Sequence, residues 1–300
     1  AVPVDIDPET LAPWPWMLEA ALTPRTRVVL VAHLFGGRMD LGGVAKFARE
    51  RGLLLVEDCA QAFQGPERMG DPAADLSMYS FGTLKTSTAL GGAVVRVRDR
   101  EVLDRMRGIQ ASYPTQGRGG YLNKLLKVLG LVAVSRFRTY GVLAQACTRF
   151  GSDLDALVGG VVRGFPPREP AATFLRHLRH RPSAPLLAML SRRLRTFDEK
   201  RLARRAKAGE RFASRLRVVD LHAGRQSLQR THWLFPVVVE DPEALVTSLR
   251  RRGLDASQAT SSIAVVEAPA GRSSPPASTC SSRATCRSSA RSRAAPARRP

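Results

Sequence analysis

An α/β fold built on a mostly parallel sheet is predicted by three observations. Residues Arg27 to His33 and Leu53 to Asp58 are continuous apolar, β-branched runs, the pattern of strands buried on both faces. Between them, Asp40 to Arg51 carries Leu41, Val44, Phe47 and Ala48 at helical spacing, with Gly52 following as a C-cap. Strand, helix and strand in that order make a crossover unit whose strands run parallel. Asp75 to Phe81 and Gly91 to Val97 read as two more strands of the same sheet.

Further along the chain, Tyr121 to Ser135 has apolar residues at helical spacing with lysines on one flank, and Tyr140 to Phe150 continues in the same style. This segment reads as a pair of packed helices. Alternatively, with Arg136, Arg138, Arg149 and Arg163, it is a basic amphipathic surface that touches a membrane over residues 121–150. It has no apolar stretch of bilayer-spanning length. Arg176 to Pro182 reads as a basic loop. Leu186 to Phe197 is a helix with an apolar stripe, and Asp198 to Leu216 continues it with charges as one long basic helix. Thr231 to Val239 reads as a strand. Asp241 to Arg252 reads as a helix with Asp241 as N-cap, Pro242 at its first position and Gly253 at C′. A weak strand near Ile263 to Val266 follows, completing a small α+β domain. Residues 273–300 contain eight Ser and six Arg and no acidic residue, Leu, Ile, Val or aromatic. They cannot build a core. The domain layout predicted is 1–110, a large domain incomplete at its N-terminus; 111–185, a helical basic insertion; 186–272, the small domain; and 273–300, a disordered tail.

With 47 basic and 26 acidic residues the net charge is +21. That charge suits a nucleic acid, an anionic membrane or an acidic substrate, and equally a solvated Arg-rich surface. The basic, aromatic-bearing strand of an RNA-binding module is absent, as are basic heptads and zinc-finger spacing. Cys59, Cys147, Cys280 and Cys286 have no close ligand pairing, and the five histidines form no ligand motif, so no metal is expected. No signal peptide is evident, so a cytoplasmic location is the default expectation.

The chemistry-bearing residues fall at the strand ends. In open α/β sheets ligands bind beyond the carboxyl ends of strands, and His33, Asp58 and Ser80 to Lys85 lie at or just past such ends. A lysine just past a strand can form a Schiff base, and an aspartate at a neighbouring strand end can hold a pyridinium nitrogen, which together make the protein half of pyridoxal phosphate (PLP) chemistry. Singly, each residue has a plainer role: Asp58 as a cap or ion-pair partner, Lys85 as a solvated surface lysine, Gln61 as a loop amide, Ser80 in a turn and His33 in the structure. The combination at successive strand ends requires several such coincidences at once.

Glu57-Asp58-Cys59-Ala60-Gln61-Ala62, then Ser80-Phe81-Gly82-Thr83-Leu84-Lys85, then Gly91-Gly92-Ala93-Val94-Val95 resemble the DegT/DnrJ/EryC1/StrS family of PLP-dependent sugar aminotransferases. Val4 to Asp7, Leu18 to Arg27 and His33-Leu34-Phe35-Gly36 extend the resemblance, which covers about residues 1–110 and weakens over 186–272. It implies a fold-type I PLP-dependent transferase, aspartate aminotransferase-like, with a partial large domain and a small α+β C-terminal domain. It implies transfer of an amino group from glutamate to a nucleotide-linked keto-sugar or related keto-cyclitol, in a homodimer. Lys85 would bond the cofactor and carry the proton, Asp58 would pair with the pyridine nitrogen, Gln61 would lie by the ring and Ser80 would contact the phosphate. Lys85, rather than the histidine of dehydratase relatives, implies transamination. Relative to the family the chain starts late, without the Gly-rich turn that binds the phosphate, and Ala1 stands where an initiator methionine would. The sequence therefore reads as a fragment with weak PLP binding, and the tail as the product of a reading-frame shift or a genuine basic extension. Two other classes remain open at this point: a non-enzymatic remnant that binds a partner, and a basic nucleic-acid- or membrane-associated protein.

Overall fold

The structure, a computed structural model, describes residues 1–134, 171–216, 222–252 and 256. It divides into two compact units, one made of residues 1–8, 12–25 and 239–300 and the other of residues 9–11 and 26–238. The first unit opens with an Ile6–Pro13 bridge and helix α1 (Pro15–Ala21), which starts on a proline, where the missing N–H costs nothing.

The second unit contains the sheet. Its strands are β1 (Val28–Ala32), β3 (Leu54–Asp58), β4 (Leu76–Ser80) and β5 (Ala93–Val97), in the spatial order β1-β3-β4-β5, with a short β2 (Gly37–Arg38) outside it. β1, β3 and β4 run parallel and β5 returns antiparallel. Helix α2 (Gly42–Glu50) makes the crossover, buries Val44, Phe47 and Ala48, and ends at Gly52 in the left-handed region as predicted. Side chains alternate along each strand. Val29, Val31, Leu55, Glu57, Ser77 and Tyr79 are buried on one face of the sheet. The opposite face corrects the expectation of two buried faces: Val28, Leu30 and Leu54 are 45%, 65% and 48% exposed. An unbroken apolar run signals that both faces favour burial, but it carries no information about whether a second layer lies over it.

Helix α3 (Arg100–Ala111) is capped by Asp99, whose side chain accepts from the Val102 amide at 2.9 Å. Helix α4 (Arg118–Val134) turns Tyr121 inward and leaves Leu122, Leu126 and Leu129 exposed. Helices α5 (Ala171–Leu178), α6 (Ala184–Arg195) and α7 (Glu199–Ala213) follow. Arg176 to Leu178, expected in a loop, thus lie in α5. The single long basic helix expected from Leu186 to Leu216 is two helices. Asp198 accepts from the Arg201 amide at 2.9 Å and starts α7 anew, because an N-cap side chain satisfies orphan amides that a continuous helix would not have. Leu186 and Leu190, one turn apart on α6, join Cys59, Phe63, Tyr79, Phe81 and Tyr121 in one core cluster. Phe63 stands edge-on to Tyr79, Phe81 and Phe197 with centroids 5.7, 5.0 and 5.1 Å away.

Thr231 to Val239 is not the strand the sequence predicts. The regular pairing is one step earlier, where β6 (Gln229–Arg230) joins β2 antiparallel. At His232 the backbone turns left-handed (φ 47°), and Pro236 has no N–H to pair. In the first unit, helix α8 (Pro242–Arg251) begins as predicted, with Asp241 accepting from the Ala244 amide at 2.9 Å. Gly253, Tyr140 to Phe150, Arg136, Arg138, Arg149, Arg163, Ile263 to Val266 and the tail lie outside the described residues. Among those described, no helix is long and apolar enough to cross a membrane.

Candidate active site

Asp58 and Ser80 are the last residues of two parallel neighbours, β3 and β4. By the strand period both sit on the open face, because Glu57 and Tyr79, one residue earlier, are buried on the other. Asp58 also serves its plainer role: its Oδ1 accepts from the Ala60 amide at 2.8 Å, turning the chain sharply after β3. Its other oxygen has no hydrogen-bond donor among the described residues. The His33 amide donates to the Asp58 carbonyl at 2.9 Å and extends the β1–β3 pairing by one residue.

Lys85 sits in the turn after β4, its amide donating to Gly82 at 3.1 Å. That turn is fastened from several sides. The Tyr121 hydroxyl donates to Ala89 (3.0 Å), Arg193 of α6 to Thr88 (2.9 Å) and Arg205 of α7 to the Thr86 hydroxyl (3.4 Å). Burial lowers the Lys85 amine below the usual lysine range, and the Asp58 carboxylate opposes that shift. The two groups are therefore close enough to sense each other. The Lys85 Nζ lies 5.0 Å from the centre of the Trp233 ring, and the Trp233 indole N–H donates to Leu84 at 3.1 Å.

Gln61 is placed by a different contact. Its Oε1 accepts from the Phe35 amide at 2.7 Å, steadying a turn in which Phe35 (φ 58°) and Gly36 (φ 86°) are both left-handed. A strap of chain, Thr231 to Leu234, docks on that turn. The Thr231 amide and hydroxyl both donate to the Gly36 carbonyl, at 2.8 and 3.0 Å, and the Leu234 amide to Phe35 at 3.3 Å. A Cβ on Gly36 would stand 2.6 Å from both the Thr231 hydroxyl and the Trp233 nitrogen. Only glycine permits this approach.

Beneath Asp58 lies a buried polar anchor. Glu57 accepts from His33 Nε2 (2.8 Å), Arg38 (2.6 Å) and the Asp71 amide (2.9 Å). The Met39 amide donates to His33 Nδ1 at 3.2 Å and so fixes the Nε2–H tautomer. Burial would raise the Glu57 carboxyl, but the His33 and Asp71 hydrogen bonds and the Arg38 charge outweigh it and hold the group far below the usual carboxylate range. The ligating atoms of His33, Glu57 and Cys59 lie within 4.8 Å of one another. Arg38, His33 and Asp71 already occupy the Glu57 oxygens, however, and burial pushes the Cys59 thiol up to about 12. The three form an anchor for the end of β3.

The sequence-predicted residues thus converge on one rim: Asp58 and Ser80 on the open face, Lys85 beside them, Gln61 on the next turn. Thr231 bonds the Gly36 carbonyl and His232 pairs with Glu210. Glu57, Arg205 and Trp233 were not anticipated. An acidic residue at an inward strand position was the available signal for Glu57. Nothing local pointed to the other two.

Residues 1–136 match the model of the DegT/DnrJ/EryC1/StrS aminotransferase family. The chain is 39% identical over 117 residues to L-glutamine:2-deoxy-scyllo-inosose aminotransferase of Streptomyces fradiae, covering 37% of this chain and 27% of that protein. It is 35% identical over 114 residues to a UDP-N-acetyl-3-dehydro-alpha-D-glucosamine 3-aminotransferase of Acidithiobacillus ferrooxidans, covering 36% and 30%. The chain therefore spans less than a third of these relatives. Among solved structures, the aminotransferase TlmJ from Streptoalloteichus hindustanus superposes with a TM-score of 0.52 at 22% identity, over 84% of this chain and 57% of that one. An E. coli GDP-4-keto-6-deoxy-D-mannose-3-dehydratase with bound hydrated PLP gives 0.53 at 14% identity, over 84% and 58%. These two likenesses show the fold alone. Over residues 1–136, in sequence and in the parallel sheet that carries Asp58 and Ser80, the chain is similar to the DegT/DnrJ/EryC1/StrS aminotransferase family.

Proposed function

We propose that this chain carries the lysine half of a PLP-dependent aminotransferase site whose amino acceptor is a keto-sugar or keto-cyclitol, with glutamate or glutamine as donor. The observation that carries the reading is the placement of a partly desolvated lysine amine, Lys85, within electrostatic reach of Asp58 at the ends of adjacent parallel strands. The residues suit the group. Lys85 supplies an amine poised to bond an aldehyde, the unpaired oxygen of Asp58 suits a pyridinium N–H, and Ser80 presents a hydroxyl on the same face. When bound, PLP supplies the electron sink for amino transfer. Asp58 keeps the ring nitrogen protonated, and Lys85 moves the proton at the reacting carbon. The likeness to relatives named for sugar and cyclitol substrates supports the acceptor class.

The test is pyridoxal phosphate titration followed by borohydride reduction and peptide mapping. A visible absorbance and a pyridoxyl group on Lys85 are expected, both lost in Lys85→Ala. A label confined to other lysines overturns the assignment. Asp58→Asn is expected to keep the absorbance but to lower amino transfer by roughly a hundredfold or more, since the ring then accepts charge poorly. Near-normal transfer in that variant would leave Asp58 with only its turn-capping role.

A further inference from the structure

Trp233 contacts Lys85 through its ring and Leu84 through its indole N–H, and the strap that delivers it is held in a strained form. His232, immediately before it, has φ 47°, a conformation that costs a β-carbon-bearing residue energy and persists only where its surroundings over-determine it. They do so here. His232 Nε2 pairs with Glu210 Oε1 of α7 at 2.9 Å, and Glu210 also holds Arg230 at 2.7 Å. Gly209 lets the imidazole press onto α7, where an added Cβ would lie 2.3 Å from the ring. Phe235 and His222 stack with centroids 4.2 Å apart, and His232 lies 5.5 Å from Phe235. On the other side of the strap, Arg205 donates to the Thr231 carbonyl at 2.8 Å while reaching Thr86, the residue after Lys85. Two elements distant in sequence thus tie the strap and the Lys85 turn to each other.

A fold that needed only to close the chain would not require left-handed backbone at His232, nor an indole between that residue and the lysine. We propose that Trp233 is a positioning residue for Lys85, its ring holding the amine at the strand ends beside Asp58 whenever the amine is not bonded to the cofactor. The inference rests on the reading that Lys85 is the cofactor-bonding lysine. A lysine that is both covalent anchor and proton carrier must spend part of its time free, and a free lysine has rotamer entropy that disperses it. An aromatic face recovers part of that through attraction to the ammonium and through confinement.

The experiment labels the full chain, without cofactor, with the N-hydroxysuccinimide ester of acetic acid and quantifies each lysine by peptide mass. Lys46, 76% exposed on α2, serves as the internal reference. In the wild type the rate of Lys85, taken relative to that of Lys46, sets the baseline. Trp233→Leu should raise its relative rate by about threefold to thirtyfold, the range that corresponds to a contact of cation–π strength. Trp233→Phe, which keeps an aromatic face, should stay near the wild type, an outcome that mere loss of packing volume would not give. An unchanged Lys85 rate in folded Trp233→Leu overturns the proposal. If that variant loses its circular dichroism, the contact is read in a folded protein instead. The chain has three tryptophans, so in a Trp14→Phe/Trp16→Phe background Trp233 alone fluoresces. Acetylation of Lys85 should shift its emission, and no shift overturns the proposal. Failure of the parent reading is distinguishable: if borohydride traps no pyridoxyl group on wild-type Lys85, both fall; if it traps one while Trp233→Leu leaves the labelling unchanged, only the role of Trp233 falls.

Discussion

Glu57 is the residue on which the placement of Asp58 depends, since it clamps the end of β3 to His33, Arg38 and the Asp71 amide. Its carboxyl is held below its ordinary value in the folded chain. The stabilisation it supplies is therefore complete above the ordinary value of 4.5 and is lost progressively as pH falls below that point. Glu57→Gln should cost about 3–5 kcal/mol at neutral pH, the usual consequence of breaking a buried charged pair, and should flatten the acid limb of the stability curve. A urea midpoint unchanged at pH 7 would contradict this. At Lys85 the shift is also downward, but there it favours the neutral form. Its amine is lowered, so the free, nucleophilic form is present at lower pH than in a surface lysine. The pH profile of its pyridoxylation should therefore lie to the acid side of that of Lys46, and coincident profiles would show that the burial is not maintained in solution. Asp58, Ser80 and Lys85 were legible in the sequence because strand period and strand ends are local properties. Glu57 was legible only as a motif letter, because its role depends on Arg38 and Asp71, whose proximity no spacing reveals.

Among the elements, β1, α2, β3, β4 and β5 were readable because each writes its period into consecutive side chains. The Leu186 to Leu216 stretch was misread because helical periodicity continues across Asp198, and only the cap chemistry marks the break. The strap was misread for a different reason. Its apolar composition is that of a strand, but its hydrogen-bond partner is a left-handed turn 195 residues away, and composition does not specify a partner. That turn gives a direct test. Gly36→Ala places a methyl group where the Thr231 hydroxyl and the Trp233 nitrogen already are. It should destabilise the chain by about 1–3 kcal/mol and raise Lys85 acetylation together with the loss. If the stability falls while Lys85 labelling stays at the wild-type rate, the strap and the lysine are not coupled through this turn.

At the scale of the molecule, the sheet is half-covered. Parallel sheets ordinarily carry a layer on each face, and here Val28, Leu30 and Leu54 are open to solvent on the face that also carries Asp58 and Ser80. Apolar area of that kind promotes self-association. Leu30→Lys combined with Leu54→Lys should lower light scattering and the binding of an environment-sensitive apolar dye, with Lys85 pyridoxylation preserved. Undiminished scattering would place the sticky surface elsewhere. The long reach of the strap has a consequence for how the site is assembled in time. The strands beneath the lysine turn come from the first hundred or so residues of the chain, whereas Trp233 arrives more than a hundred residues later, and contacts of such separation form late because loop closure must come first. During synthesis Lys85 passes through an interval in which its strand exists but its aromatic cover does not. In that interval it is an ordinary amine, without the indole that in the folded chain lies 5.0 Å from it.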